Sequence, residues 1–375
     1  MLPREPMSNL PYLKQILRYD MAYRLKVGRP LPDNITISIT RACQSACLTC
    51  DCGFDTRKGL VKINEELSLD EWLQIIGNID WKLAFLTISG GEPSMSRNLE
   101  AVALAFAEQT RPDFVTIPTN ALTPDLVLSK VERILDKSPR ETRWHINVSV
   151  DGIGEVHDHV RGVKGNFDKC LKTIDGLIAL RSRYANLRVG VHTVVSTHTV
   201  NTIEETVNYF QEMPLDNQIS EIAEERFELG TMGRHITPHK DYVRVIPFLK
   251  QALGSREEGR IRRSLRRSYY DFVGKWVQEP QRQHVPCMAG VASCHITEKG
   301  YLTCCCVRWV ARGLIGNLRE ANYDTKRLWF TERAQKVRQS IKKQACACPL
   351  ASAAYSSMLM SPRSLLRIAK DYALP

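Results

Sequence analysis

From residue 35 onward, short apolar stretches alternate with longer amphipathic ones. The apolar, β-like stretches cover residues 35–39, 85–88, 114–117, 146–150, 189–195 and 219–227. The amphipathic stretches predict a helix that begins after Ser68 with a Ser68/Glu71 capping box, and helices at 98–109, after Pro124, at 167–180 and at 202–210. This alternation is typical of parallel βα units. Six repeats predict an α/β fold with a partial (β/α)6 barrel of the TIM type.

The rest of the chain divides around this barrel. We expect an amphipathic helical segment at 1–34, the barrel at 35–229 and a basic helical linker at 230–284. Residues 285–350 carry β-hairpin signals and a second group of cysteines, and residues 351–375 form a tail with a short amphipathic stretch. The pattern therefore predicts a barrel followed by a small C-terminal domain of hairpins and helices.

Polar motifs follow the predicted strands at their carboxyl ends. A cysteine loop follows the first strand, Gly90-Gly91-Glu92-Pro93 the second, Thr119-Asn120 the third, and Asp151-Gly152 the fourth. In barrels of this kind the chemistry is built at that edge. We therefore expect these motifs to meet at one mouth.

The chain has twelve cysteines and no apolar segment that resembles a signal peptide or a membrane span, so we expect a cytoplasmic protein. Thiols stay reduced in that compartment, which favours metal binding over disulfides. Four cysteines lie within residues 43–52, and seven lie between Cys287 and Cys348. This distribution predicts two separate metal sites, with Cys52 and Cys170 as ordinary cysteines.

The spacing C-x3-C-x2-C of Cys43, Cys47 and Cys50 provides three thiolates on one short loop. Three thiolates can bind three irons of a [4Fe–4S] cluster and leave the fourth iron open, whereas a cluster for electron transfer normally has four cysteines. A structural zinc site with Cys52 as the fourth ligand is the alternative. It would give the Gly90–Pro93 motif no role.

Together, the cysteine spacing and the GGEP motif after the next strand resemble the radical S-adenosylmethionine (SAM) superfamily, over residues 33–228. The resemblance implies that SAM binds the open iron and is cleaved to a 5′-deoxyadenosyl radical that abstracts hydrogen. It assigns SAM binding to Gly90, Gly91, Glu92, Pro93, Thr119, Asn120, Ser149, Asp151 and Arg161, with Thr193–Val195 near the adenine. Thr49 departs from the family, which often has an aromatic residue before the third cysteine.

The second cysteine group resembles the auxiliary-cluster domains called SPASM and twitch. Cys287-x12-Gly300-x4-Cys305 is followed by the pair Cys346-x-Cys348, where that family usually has C-x2-C. The resemblance implies that Cys287, Cys305, Cys346 and Cys348 hold a second [4Fe–4S] cluster. Cys294, Cys304 and Cys306 are rival ligands or hydrogen-atom donors, and zinc suits four cysteines equally.

A radical enzyme with such a cluster is expected to oxidise or epimerise a small organic substrate, such as a sugar, a natural-product intermediate or a lipid-linked intermediate. Flavodoxin or ferredoxin would supply low-potential electrons. A peptide-modifying maturase is an alternative, although 34 residues before the first strand are too few for the usual peptide-binding module. An iron–sulfur protein without catalysis is another.

The formal net charge of +11 comes with no nucleic-acid-binding motif, so no nucleic-acid partner is expected. The arginine-rich run at 260–267 predicts a solvated helix face. Near the N-terminus, Leu10, Leu13, Ile16, Leu17, Met21 and Leu25 form one helical stripe with basic neighbours. That helix either packs on the barrel or contacts a membrane surface.

Overall fold

The computed structural model describes residues 10–25, 30–253, 260–307 and 312–373. In these ranges, nine strands form one sheet in the order β6-β5-β4-β3-β2-β1-β7-β8-β9. The strands are β1 (Asn34–Ser38), β2 (Phe85–Ser89), β3 (Phe114–Thr119), β4 (Arg143–Ser149), β5 (Leu187–Val195), β6 (Asn217–Ile222), β7 (Ser293–Ile296), β8 (Tyr301–Thr303) and β9 (Leu314–Asn317). Strands β1 to β6 are parallel, as the sequence predicts, and β7 pairs in parallel with β1.

The helices of the first half of the chain alternate with the barrel strands. They are α1 (Leu10–Leu25), α2 (Cys52–Arg57), α3 (Leu69–Gly77), α4 (Leu99–Thr110), α5 (Pro124–Lys137), α6 (Glu155–Arg161), α7 (Asn166–Arg181) and α8 (Ile203–Gln211). The later helices are α9 (His239–Ala252), α10 (Arg260–Gln278), α11 (Thr325–Trp329), α12 (Glu332–Lys342), α13 (Ala351–Leu359) and α14 (Pro362–Ala373).

The alternation of residues in β1 explains how the barrel is filled. Ile35 and Ile37 are fully buried in the main hydrophobic core, whereas Thr36 and Ser38 line a cavity on the other face. Successive side chains of a strand point to opposite faces. The outer face of the sheet therefore packs on the helices, and the inner face presents hydroxyl groups to the interior.

The sixth strand is shorter than the sequence predicts. Strand β6 ends at Ile222 rather than near residue 227, and Phe227 is 77% exposed. Beyond the strand, Arg226 forms ion pairs with Glu224 and Glu228, so these side chains pair with each other instead of alternating across a sheet.

The C-terminal hairpin continues the barrel sheet. In the parallel ladder between β1 and β7, Ile35 lies opposite Cys294. A second connection joins Arg319 to Glu71 of α3, with Nε–Oε1 and Nη2–Oε2 distances of 2.6 and 3.0 Å. The hairpin region is thus attached to the barrel through both backbone and side chains.

Residues 230–284, predicted as a linker, contain α9 and α10. These helices pack with α13 and α14 in a second hydrophobic core against the α8 side of the barrel. The prediction of a solvated arginine face on α10 is wrong: Arg262 stacks on Phe114, 5.3 Å from the ring centroid, and Arg266 donates to Gln218 O at 2.5 Å. Both contacts lie at the amino ends of strands, so this helix covers the barrel's lower end.

Helix α1 packs on the hairpin region. Tyr19 is buried with Met288 and Met360, and its hydroxyl donates to Leu31 O at 2.7 Å. The stripe residues Leu17, Met21 and Leu25 are exposed, whereas the side chains of Leu10 and Leu13 lie outside the described residues. Among the described helices, none has the length and apolar character needed to cross a membrane.

Candidate active site

The first cysteine loop follows β1 and is anchored to two helices. The Ala46 N–H donates to Arg161 O at the end of α6, at 2.9 Å, and the Cys43 N–H donates to Thr56 Oγ1 in α2, at 3.0 Å. These two hydrogen bonds, one to a backbone oxygen and one to a side-chain oxygen, restrict the movement of the loop. The three thiols are therefore held in place by structure on both sides of the loop.

The two glycines of the GGEP motif bring the end of β2 against the same loop. The Gly91 N–H donates to Thr40 O at 2.7 Å. A Cβ on Gly90 would lie 2.2 Å from Thr40 O, and one on Gly91 would lie 2.3 Å from Ala42 O. Gly90 also has φ +139°, which favours glycine. Only glycine fits at either position without moving the cysteine loop.

Each thiol of the loop has an N–H group beside its sulfur. Asn120 Nδ2 lies 3.6 Å from Cys43 Sγ, Arg161 Nη1 lies 3.9 Å from Cys47 Sγ, and the Cys52 N–H lies 3.5 Å from Cys50 Sγ. Burial, with the neighbouring Cys47 thiol, raises the pKa of Cys43 to about 11. Clustered thiolates need a bound cation and N–H donors to be stable. The donor set fits an iron–sulfur cluster with three cysteine ligands.

The Glu92 side chain points into the protein. Its carboxylate accepts the Asn120 N–H at 2.7 Å, the Thr119 hydroxyl at 2.9 Å and the Ser94 N–H at 3.1 Å. Burial raises the pKa of Glu92, and these hydrogen bonds oppose that shift. Glu92 therefore joins the ends of β2 and β3 and leaves the backbone of its own loop to face the site.

Asp151 also has protein partners on both oxygens. Its Oδ1 accepts the Val194 N–H at 2.8 Å, and its Oδ2 lies 2.9 Å from Arg161 Nε in an ion pair. Asp151 is 1% exposed. It holds Arg161 beside the second cysteine, whereas Ser149 lies opposite His192 in the β4–β5 ladder.

His157 is a residue that the sequence analysis missed. Its Nδ1 accepts the Asp151 N–H at 3.1 Å, its Nε2 lies 3.1 Å from Asn166 Oδ1, and Asn166 Nδ2 donates to Asn120 O at 3.0 Å. This chain of contacts connects the ends of β4 and β3. The one indication of His157 in the sequence was its position between Asp151-Gly152 and Arg161.

A cavity of about 460 Å³ opens beside the cysteine loop. Its lining includes Cys47, Cys50, Leu48, His198 and Ile236. Thr193 and Val195, which were expected near the adenine, are fully buried in the β5 strand and do not line it.

A larger cavity, of about 660 Å³, lies between the barrel and the C-terminal hairpin. Its lining includes Ser38, Thr40, Arg41, Ser89, Gly90 and Gly91 of the barrel, Arg226 and Glu228 after β6, and His295, Glu298 and Cys306 of the hairpin region. Burial raises the pKa of Glu228 to about 7. Its Oε1 lies 3.7 Å from Arg226 Nη1 in an ion pair, but neither carboxylate oxygen has a hydrogen-bond partner among the described residues. A buried carboxyl group without hydrogen bonds is costly unless a ligand supplies a donor.

Two of the four cysteines predicted for the second site, Cys287 and Cys305, pack against one small hydrophobic core that contains Cys304. Burial, with the Cys305 and Cys346 thiols, raises the pKa of Cys287 to about 12. Burial also raises the pKa of Cys348, with smaller contributions from Glu224, Cys287 and Cys305. The assignment of all four thiols to one site stays a prediction. As a donor set, four thiols suit an iron–sulfur cluster or zinc.

The other cysteines of this region differ in their surroundings. Cys294 is buried in the main core on β7, and Cys304 is fully buried beside Val337 and Ile341. Cys306 lines the larger cavity. Within the described ranges, no three Cys, His, Asp or Glu side chains form a group that could hold one metal ion.

Comparison with known proteins extends these observations. Residues 37–210 match the family model described as the Radical SAM superfamily. The chain is 27% identical over 176 residues to the Fe-coproporphyrin III synthase of Methanosarcina barkeri, covering 47% of this chain and 40% of that protein. It is 25% identical over 180 residues to the sporulation killing factor maturation protein SkfB of Bacillus subtilis, covering 47% and 39%. The chain thus matches about two fifths of the length of these curated relatives.

Solved structures show the same fold over most of the chain. Streptococcus suis SuiB bound to S-adenosylmethionine aligns with a TM-score of 0.56 and 16% identity, over 80% of this chain and 66% of that one. The protein anSMEcpe with bound AdoMet aligns with a TM-score of 0.58 and 14% identity, over 91% and 100%. Members of the matched family use a [4Fe–4S] cluster and SAM. Residues 37–210, which contain the three-cysteine loop and the glycine motif, therefore form a domain that matches the radical SAM superfamily.

Proposed function

We propose that this protein is a radical SAM enzyme that epimerises a small polar substrate, with Cys306 as the hydrogen-atom donor. One observation carries the proposal: Cys306 and the glycines Gly90 and Gly91 line the same cavity. A substrate between them can lose a hydrogen on the side of the SAM-binding motif. It can receive one on the side of the thiol.

On the first side, Cys43, Cys47 and Cys50 would hold the [4Fe–4S] cluster, and the backbone around Gly90 and Gly91 would receive SAM. When bound, this pair supplies a 5′-deoxyadenosyl radical that abstracts hydrogen from carbon. The protein's own contribution is to fix the loop through Arg161 and Asn120, and to exclude water from the cavity.

The cavity suits a small polar molecule. Its volume of about 660 Å³ lies in the range of small-molecule sites. Ser38 and Thr40 line it with hydroxyl groups, and the Glu228 carboxyl group, which has an ion pair with Arg226 but no hydrogen bond among the described residues, lines it too. Because a buried carboxyl group seeks hydrogen-bond donors, a substrate with hydroxyl or amino groups fits best.

Among the three candidate donors, only Cys306 has access to a substrate. Cys294 is buried in the main core, and Cys304 is buried beside Val337 and Ile341 with its Sγ 3.8 Å from Cys305 Sγ. In the proposed step, the Cys306 S–H bond breaks and a C–H bond forms on the substrate radical. The resulting thiyl radical takes one electron and one proton, the electron coming from a low-potential carrier of the flavodoxin or ferredoxin class.

Four cysteines, Cys287, Cys305, Cys346 and Cys348, would hold a second [4Fe–4S] cluster next to Cys306. Iron analysis of the anaerobically reconstituted protein tests this assignment. Wild type should hold about eight irons, and the Cys43/Cys47/Cys50→Ala triple variant about four. Zinc in place of half of the iron would overturn the second assignment and leave the first.

The reaction itself is tested in deuterated water with SAM and a chemical reductant, using panels of sugars, amino sugars and amino acids. A substrate should stimulate 5′-deoxyadenosine formation and yield an isomer that carries one solvent deuterium. Cys306→Ala should still form 5′-deoxyadenosine but should lose the deuterated isomer, whereas Cys294→Ala should keep it. If the product formed by wild type has lost two hydrogens, the reaction is an oxidation and not an epimerisation.

A peptide substrate is the second candidate. SkfB is a maturation protein, and SuiB has been crystallised bound to the precursor peptide SuiA. A parallel panel of short peptides in the same assay distinguishes the two candidates. The absence of any 5′-deoxyadenosine in the reduced wild-type protein with SAM would instead favour an iron–sulfur protein without catalysis.

A further inference from the structure

A basic cleft lies on the side of the molecule that carries the second cysteine group. We define the cleft by Arg24, His284, Lys342, Arg363 and Arg367, which line a volume of about 470 Å³. An adjoining depression shares His284 and Arg367 and adds Lys275 and Arg282. Four separate parts of the chain meet here: α1, the segment before Cys287, the end of α12, and α14.

The cleft borders the second cysteine group directly. Pro286, which precedes Cys287, lines the cleft together with Tyr23. Lys342 donates to the backbone carbonyls of Tyr23 and Arg24, each at 3.0 Å, which fixes the end of α1 against α12. The wall of the cleft therefore also covers one of the proposed cluster ligands.

Little negative charge offsets these cations. Among the described side chains, the cleft lining contains no acidic one, and that of the adjoining depression contains only Glu279, which pairs with Arg282 at 3.0 Å. Arg24 pairs with Asp20 outside the cleft. Cations grouped on one concave face attract an acidic partner and speed its association.

We propose that the basic cleft is the docking surface for an acidic one-electron carrier protein. The proposal rests on the proposed function, because it needs the second cluster behind the cleft wall. Both oxidation and epimerisation of a substrate radical require the transfer of one electron. Oxidation releases an electron and a proton, and regeneration of the Cys306 thiol consumes an electron and a proton.

Other ligands fit this surface less well. The cleft shares no lining residue with the larger cavity that holds Cys306, so a substrate there would lie away from the glycine motif. Of the exposed large hydrophobic side chains that the structure describes, among them Leu17, Met21 and Leu25 of α1, none belongs to the cleft lining. A membrane-binding face would need such side chains to insert.

Binding of a flavodoxin to the full-length, iron-loaded protein tests the proposal. The variant Arg363→Glu/Arg367→Glu reverses two exposed charges of the cleft. The control Lys137→Glu/Arg140→Glu reverses two exposed charges at the end of α5 and changes the net charge equally. We expect about tenfold weaker binding for the cleft variant at low salt, and affinity near that of wild type for the control. Equal affinities in all three proteins would overturn the proposal.

Two further measurements separate this proposal from the proposed function. With titanium(III) citrate as reductant, the cleft variant should form 5′-deoxyadenosine at the wild-type rate, whereas with flavodoxin it should be slower. A variant without the second ligand set, Cys287→Ala/Cys305→Ala, should still bind flavodoxin but should form 5′-deoxyadenosine more slowly with it. An unchanged flavodoxin-driven rate would refute the link between the surface and a cluster. Capture by phosphatidylglycerol vesicles that displaces flavodoxin, and that is lost in the cleft variant, would assign the cleft to a membrane instead.

Discussion

The Asn120 N–H donates to Glu92 Oε2 at 2.7 Å, while the side-chain amide of the same Asn120 lies 3.6 Å from Cys43 Sγ. One residue at the end of β3 thus connects the acid of the GGEP motif to the first cysteine of the cluster loop. We call the hydrogen bonds that the Glu92 carboxylate accepts the internal brace, because they hold the ends of β2 and β3 together. Its neighbouring glycines provide the surface that faces the site.

Replacing Glu92 with Gln should weaken this brace. Glutamine keeps the volume but loses the charge, and its NH2 group cannot accept the hydrogen bonds that the carboxylate accepts. Hydrogen bonds to charged groups contribute about 1.5–3 kcal/mol each, so we expect a loss of about 2–3 kcal/mol in the free energy of unfolding. Urea denaturation measures it, with the exposed Glu108→Gln as the control. An unchanged midpoint for Glu92→Gln would show that the brace contributes nothing.

Gly90→Ala should disturb SAM binding more than overall stability. The added Cβ would lie 2.2 Å from Thr40 O, and the backbone at φ +139° disfavours alanine. The loop can relieve the contact only by moving away from the cysteines. We expect at least tenfold weaker SAM binding, measured by equilibrium dialysis of the iron-loaded protein. Gly77→Ala, with nothing within 4 Å of its Cβ, is the matched control and should bind as wild type does.

The sequence predicts the barrel well because its signal is local. Alternation places Ile35 and Ile37 in the core and Thr36 inside the barrel, and parallel strands bring their carboxyl ends to one edge. The positions of the cysteine loop and of the glycine motif follow from that rule alone.

Side-chain partners could not be predicted in the same way, because they depend on contacts between distant parts of the chain. From the sequence, Asp151 is expected to face a ligand, yet in the structure it pairs with Val194 and Arg161. The arginines of α10 are expected to face solvent, yet Arg262 stacks on Phe114. Periodicity shows which face of an element differs from the other. It does not show what packs against that face.

Acid should destabilise the protein partly through His157. Burial, with the nearby Arg161, lowers the pKa of His157 from 6.5 to about 4. Since the folded state favours the neutral ring, the contribution of His157 to the free energy of unfolding is complete above pH 6.5. This contribution is lost as the pH falls toward 4. The loss amounts to up to about 3 kcal/mol. Urea midpoints between pH 7.5 and 4.5 should therefore fall more steeply for wild type than for His157→Gln. The exposed His159→Gln, on the same helix, should keep the wild-type slope; equal slopes in all three would contradict the prediction.

The ion pair between Arg319 and Glu71 should couple the C-terminal hairpin region to the barrel. The guanidinium contacts both carboxylate oxygens, at 2.6 and 3.0 Å, and also donates to Glu66 O at 3.1 Å. Because both side chains are partly exposed, we expect a coupling energy of about 1 kcal/mol in a double-mutant cycle with Glu71→Gln and Arg319→Gln. Arg319→Lys should recover little of it, since an ammonium group cannot bridge two oxygens as a guanidinium does. Hydrogen exchange should then quicken in β7 and β8 of the single variants. Additive effects on unfolding, with unchanged exchange there, would show that this ion pair does not couple the two parts.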